Sequence, residues 1–538
     1  MHLRPRLLND SARFARQSLA LACLLNLAVP VHAGSFDCAT PATPQQINPQ
    51  VLGNGSAGSV TRMQLQQALD SASEVRLNIG SSTLLLDQSL RLTRAVSLDG
   101  GGASLSGGGL VRVMEISNPT LASDFTITLK NLKLINGDAR NAAGDQFARS
   151  GGAILNDHGS EPWRAVRLHA FDVEFNNNRA IEAAQDGGGG AVYLLGHREF
   201  ICVRCEFFGN RASNGGGYYG LGTQTLRFYD SQLAKNVASG DGGNPGNGGN
   251  GGAMAVDGDT REVSLCRSEL LANDNNAFGA GLFTTVYDQT SITRIWQSTF
   301  ASNAQLGSDQ HTGGAYIQGG PVSIRNSTFR ANQAVGFGGL SLFDHQTGNG
   351  LIRVGGEIVN STFVGNLART GLGGAMNLQG SDPLLLQNLT IADNRADCAV
   401  CFAGGIANPA NSPITVRNTI FRNNTGGNAF NPWAILNPVA NGSNNLQWPQ
   451  ARPGSSGQQE LAVSPGSQFA DSLTLAPADN GGPTETMALP ANSPAVNAGT
   501  TTGAPAGDQR GLPRFGAVDV GAFELQNASQ VFRNGFEG

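Results

Sequence analysis

Lysine is nearly absent: Lys130, Lys133 and Lys235 are the only three in 538 residues, and charged side chains of both signs make up just 14% of the chain. So few cations leave no basic footprint for nucleic acid and no polybasic patch for an anionic membrane surface. Beyond the N-terminus no run of eighteen apolar residues occurs, which excludes a helical membrane protein once a leader is removed. Helical periodicity is also missing from most of the chain. What is present instead is Gly, 73 residues without a collagen-like period of three, together with abundant Asn. That mixture suits stacked strands and turns better than solvated helices.

Residues 1–33 read as a secretion signal. Arg4, Arg6, Arg13 and Arg16 precede the apolar "LALACLLNLAVPV", and "VHA" ends at Ala33 as a small-residue cleavage site. Removing four Arg and one Asp moves the formal charge from −5 to −8. Cys23 leaves as well, so Cys38, Cys202, Cys205, Cys266, Cys398 and Cys401 remain. An even count in an exported chain permits disulfides of unspecified pairing. The two CxxC pairs lie almost two hundred residues apart, which argues for disulfides or buried thiols over a zinc site. "CAVC" lacks the helix-start setting that activates a redox pair, so Cys398 and Cys401 are expected to clip their own loop or to pair elsewhere. Cys202 stands where other repeats carry an inward apolar residue and reads as core.

One word recurs: an aromatic or aliphatic residue, two variable places, then Asn. It begins at Phe175, Phe207, Leu233, Leu270, Phe300, Phe329, Phe363, Ile391 and Phe421, at gaps of 26 to 37 residues. A ragged period near thirty marks solenoid repeats with loops of variable length. Each repeat holds short β-prone runs such as "GPVSIRNSTF" and "GGAYIQ". Such strands bury an apolar face only by coiling, which predicts an all-β, right-handed parallel β-helix of about ten to twelve coils. Phe300, Phe329 and Phe363 then face the interior, while Asn303, Asn332, Asn366, Asn394 and Asn424 stack as an amide ladder at one corner. A second polar column lies three residues before the Phe positions: Asp172, Asp230, Gln297, Asn326, Asn360, Asn388 and Asn418. Gly-Gly pairs provide the next corner.

The expected order is a 34–74 segment with a helical cap, coils over 75–430, a loop-rich module over 431–525 and a tail over 526–538. The cap is Ser59 to Ala72, with Met63, Leu65, Ala68 and Leu69 on one side, placed before the first strands. The repeat words resemble those of chlamydial polymorphic outer membrane proteins. The C-terminal words "NGGPTETMALPANSPAVNAG", "DQRGLPR" and "DVGAFE" resemble the choice-of-anchor Q domain of bacterial surface and secreted β-helix proteins. That resemblance implies export and display at or beyond the cell surface, with anchoring supplied by a variable tail. Here "VFRNGFEG" departs from the L-P-x-T-G type of anchor, so release into the medium stands beside display.

Parallel β-helices also host lyases and hydrolases. A lyase needs carboxylates clustered on Ca²⁺ and a proton acceptor; a hydrolase needs two or three converging acids. The candidates are Asp186, Asp241, Asp309 and His311, in loops that precede Gly-Gly pairs and could stack into an acidic rim. The competing reading is a set of solvated turn residues. Tyr193, Tyr218, Tyr219 and Tyr316 follow Gly-Gly corners and offer either a sugar-stacking stripe or strand packing. The leading expectation is a non-catalytic extracellular or surface protein that works by adhesion or by binding glycan or protein, without cofactor. The alternative is a pectate-lyase-like polysaccharide lyase or a hydrolase, with Ca²⁺ only in the lyase case. The ligand and the oligomeric state stay open.

Overall fold

In the coil that starts at Met254, four short strands follow one another: Met254–Asp257, Glu262–Cys266, Glu269–Leu271 and Asp274–Asn275. Each pairs in parallel with its counterpart one repeat later, Met254 with Leu282, Val263 with Thr293, Leu270 with Phe300 and Asp274 with Ala304. The structure is a computed structural model and describes residues 37–117, 124–156, 166–243, 246–309 and 311–526. The leader 1–33 and the tail beyond Gln526 lie outside the described residues. Three parallel sheets result: sheet I of 26 strands holds the second and third strands of each coil, sheet II of 11 the first, and sheet III of 8 the fourth. The fold is a parallel β-helix. Strand pairing extends outside 75–430 at both ends, from Gln50–Leu52 to Gln468–Phe469.

Period-two alternation sends every other side chain to the axis. Phe300, Phe329 and Phe363 are fully buried, and their rings stack at 4.7 and 4.8 Å. Beside them the Asn column runs from Asn178 to Asn424. Asn332 shows the pattern. Its Oδ1 accepts from the backbone N–H of Asn303 (3.1 Å) and from Asn303 Nδ2 (2.9 Å), while its own Nδ2 donates to the Phe300 carbonyl and to Asn366 Oδ1, both at 2.9 Å. The amide thus satisfies backbone groups that the corner removes from any sheet.

Two left-handed corners flank the third strand of each coil, five residues apart: Asn326 (φ 52°) with Ala331 (51°), and Asn418 (48°) with Asn423 (51°). Asn and Asp tolerate this region, which accounts for the second polar column. In four successive coils that column alternates in charge as Asp172, Arg204, Asp230 and Arg267, with Arg204 Nε to Asp172 at 2.6 Å and Arg267 Nε to Asp230 at 2.5 Å. At the Gly-Gly corner Gly189 has φ 64°, and a Cβ on Gly190 would collide with the Gly216 carbonyl of the next coil.

The first coil is covered by the helix α1, Arg62–Ser71, begun by a capping box in which Thr61 and Gln64 exchange side-chain and backbone hydrogen bonds. Leu65, Ala68 and Leu69 face the core, whereas Met63 is 70% exposed and lies outside the apolar side expected for it. The helix follows Gln50–Leu52 rather than preceding all the strands. Its Gln66 side chain accepts from Arg91 N–H (2.8 Å) and donates to Arg91 C=O (2.9 Å), replacing the missing neighbour of the sheet II edge strand.

Residues 38–48 form a strap along the outside of sheet I. Cys38 is bonded to Cys266, 228 residues away, and Thr40 donates to Asp230 Oδ2 at 2.5 Å. Arg204 reaches Thr43 (2.8 Å), Lys130 donates to the Pro44 carbonyl (3.0 Å), and Glu74 accepts the N–H groups of Ile47 and Asn48 (2.9 and 2.8 Å). Cys202 is fully buried and bonded to Cys205, and Cys398 is bonded to Cys401.

The C-terminal module covers the third strands of the later coils. Gln509 donates to Thr328 Oγ1 (2.8 Å) and accepts from Thr362 Oγ1 (2.7 Å), and Leu489, Val520 and Phe523 pack on Ile420 and Leu446. Its two characteristic words meet: Arg514 of "DQRGLPR" donates to Glu524 of "DVGAFE" at 2.9 Å, both side chains 2% exposed.

Replacing Asn332 with Ala orphans buried donors and an acceptor at about 1–3 kcal/mol each, so a loss of roughly 3 kcal/mol or more is expected. Ala331→Gly relieves a left-handed cost of ~1–2 kcal/mol against a Gly entropy cost of ~0.5–1, a net gain of about 0.5–1 kcal/mol. Guanidinium titrations that moved the two midpoints in the opposite order would contradict the ladder account. Burial pushes Asp230 up, but the Arg267 and Thr40 hydrogen bonds outweigh it and hold the carboxyl below its usual value. Its contribution is therefore complete above the ordinary Asp range of about 4 and lost as pH falls through the lowered value. Amide exchange in residues 38–48, corrected for intrinsic rate, is expected to quicken in Cys38→Ser and in acid, while the coils keep their protection.

A candidate binding face on the eleven-stranded sheet

The strap and the C-terminal module occupy much of the outside of sheet I, so the outside of sheet II is the long surface to consider. Along it residues alternate strictly. Tyr218 points to the axis, 5.2 Å from the Phe200 ring with its hydroxyl on Thr223 (3.2 Å), whereas Tyr219 points outward. The outward column reads Leu155, Tyr193, Tyr219, Ala255, Phe283 and Tyr316 and forms a second apolar cluster with Phe147, Phe278 and Phe343. Loops cover it. Tyr193 and Tyr219 are 0% and 2% exposed and Tyr316 8%, with Tyr193 and Tyr219 edge to face at 5.4 Å. None of the four tyrosines offers an open stacking surface for sugar. The expected stripe is packing, because these loops fold back across the face and desolvate it.

The loop acids fare differently from one another. Asp241 is exposed and accepts from Asn247 at 3.3 Å; Asp309 is exposed as well. His311 rests on the Phe278 ring at 3.9 Å, and burial lowers its pKa while the Asp309 charge opposes that. Among the described residues no three His, Cys, Asp or Glu side chains come together as a cation-binding group. Asp186 is half-buried, and burial alone pushes its carboxyl up. Its backbone is held by Gln146 (N–H to Oε1, 3.1 Å) and by the Tyr193 hydroxyl on its carbonyl (3.0 Å).

Two residues that sequence reasoning passed over join Asp186. Burial raises Tyr219 well above its ordinary value, and the charges of Asp257, then Tyr193 and Asp186, add to it. Burial pushes Tyr287 up to about 12, reinforced by the charge of Asp257, its hydrogen bond to Asp257 and the charge of Asp186. Asp186, Asp257, Tyr193, Tyr219 and Tyr287 therefore share one neighbourhood. Asp257 was findable from strand parity, since it sits two places after the outward Ala255.

Two open clefts lie on this face. One of about 630 Å³, in the early coils, is lined by Arg91, Thr93, Arg112, Glu115, Ser117 and Leu155. Arg112 is 5% exposed, and its guanidinium holds Glu115 and the carbonyls of Ala148, Ser150 and Gly151. The other, about 370 Å³ in the late coils, has Phe343, Asn377 and Gln379 on its floor beneath Phe337 and Val400. No helix among the described residues is long and apolar enough to cross a membrane.

No family model matches the chain, and no curated protein does. Among solved structures it is similar to tailspike protein 3 of bacteriophage CBA120, at 14% identity and a TM-score of 0.36, over 76% of this chain and 61% of the tailspike chain. The chain thus spans about three-fifths of that protein's length. The β-helix is read from the strand pairings themselves.

Proposed function

We propose that this is an exported, non-catalytic solenoid that binds an extended glycan along the outside of sheet II. The observation that carries the reading is the pair of clefts, about 630 and 370 Å³, that open between the loops on the long face away from the strap and the C-terminal module. Both volumes suit one or a few sugar units, and both clefts mix apolar floor with fixed polar groups. Three disulfides support export into an oxidising compartment, as does the basic-apolar leader. The C-terminal words support the display reading only through their resemblance, since their side chains are engaged in holding the module to the coils.

Affinity electrophoresis through gels cast with neutral and acidic polysaccharides tests this. Retardation by at least one polymer, without loss of polymer size, is expected. Unchanged mobility across the panel would remove glycan binding as the function.

A second reading, polysaccharide hydrolysis, is favoured by Asp186. Burial keeps its proton into a higher pH range, as a general acid requires, with the Asp257 carboxyl in the same neighbourhood. No comparable observation favours the calcium-dependent lyase. Reducing-end assays after long incubation are expected to show no turnover; release of sugar ends that falls at least a hundredfold in Asp186→Asn would replace the binding reading with the hydrolytic one.

A further inference from the structure

The floor of the late-coil cleft contains a polar group that has nothing to bind. Asn377 lies on the sheet II strand Met376–Gln379, in register with Ser341 of the previous coil and Ala407 of the next. Parity turns Met376 and Leu378 to the axis and Asn377 outward. Asn377 is 1% exposed, its Oδ1 accepts from Gln379 Nε2 at 2.8 Å, and its Nδ2 has no hydrogen-bond partner. A buried amide left in that state costs about 1–3 kcal/mol, and Asn377 lines the cleft, so a partner entering there meets it. Gln379 is exposed and keeps its own oxygen for a donor.

The rest of the cleft narrows the choice of partner. None of its lining residues is ionisable, so a charged group would enter without compensation. Phe343 and Phe337, ring centroids 6.2 Å apart and tilted by 60°, provide an aromatic floor and wall. Leu436 closes one side. Val400, 74% exposed, projects from the loop that the Cys398–Cys401 disulfide pins down. The site therefore joins a flat apolar surface to a paired amide that lacks one partner. A hydroxyl both donates and accepts, so it satisfies the Asn377–Gln379 pair whichever way the two amides are turned. An uncharged ring with apolar C–H groups on one face and hydroxyls on its edge matches both features.

We infer that this cleft is a subsite for a single neutral pyranose, its C–H face on Phe343 and one ring hydroxyl between Asn377 Nδ2 and Gln379 Oε1. The inference rests on the glycan-binding reading and deepens it by naming the sugar class and the place. Weak, millimolar binding is expected of one ring alone, with longer chains gaining from the rest of the face.

The test is saturation-transfer NMR on the full chain with methyl glucoside, galactoside and mannoside, with the methyl glycoside of glucuronate, its carboxylate free, as the charged control. Transfer to the ring C–H protons of at least one neutral glycoside is expected, with none to the glucuronate. Val400→Trp fills the mouth from an exposed position and should abolish the signal without changing the fold; Asn377→Leu keeps volume, removes the orphaned amide and should weaken binding at least tenfold. Transfer that persists in both variants would overturn the subsite, while retardation by polysaccharide could still stand. Stronger transfer to the glucuronate than to any neutral glycoside would overturn the assignment of class. No transfer to any glycoside would overturn the subsite regardless of the gel result, and the polymer assay alone decides the broader reading.

Discussion

A buried amide in this molecule finds its partner only because the backbone beneath it is copied at the same place one coil away. Asn303, Asn332 and Asn366 each accept from a backbone N–H and donate to a backbone carbonyl of the preceding coil. A residue inserted between a left-handed corner and the ladder would shift all of those groups at once. The fixed five-residue spacing of the two corners follows from this requirement, and the variable gaps must then be absorbed elsewhere. They are absorbed in the loops between sheets III and II, such as that between Ala238 and Met254, and between sheets II and I, where the hairpin of His345–Thr347 and Gly350–Ile352 is inserted; the former loops lie over the outside of sheet II and shape its clefts.

The two ends of the chain obey the same constraint by different means. Sheet II has no strand before Leu90–Leu92 among the described residues, and Gln66 supplies one donor and one acceptor in its place. Along the outside of sheet I the strap and the C-terminal module add polar partners to corner residues that face away from the axis: Asp230, Arg204, Asn360 and Asn418 all bind backbone or hydroxyl groups there. The charge alternation from Asp172 to Arg267 is thus an ion-pair column that serves the strap, and its acids are committed to structure.

The coils were legible because a solenoid repeats its chemistry. Phe, Asn and Gly-Gly columns recur at one period, and each has a physical task that only stacking fulfils. The outward face was much less legible. Tyr218 and Tyr219 are neighbours in sequence, yet one belongs to the axis and the other to the loop-covered cluster. Assigning them needs the register, and judging their exposure needs the path of loops that share no period. The same limit hid Asp257, Tyr287 and Asn377, which are single occurrences at positions where other coils carry different residues. The strap left no signature because its contacts are mostly backbone and small hydroxyl groups, without periodicity.

The bond between Cys38 and Cys266 also dictates an order of events. The strap lies at the front of the chain, yet the thiol that fastens it belongs to a coil 228 residues later. During synthesis, the early coils therefore stack with the strap held only by hydrogen bonds such as those to Glu74 and Lys130. Only when the strand ending at Cys266 has been laid down can the leading segment be fastened, so completion of the front of the molecule waits on its middle.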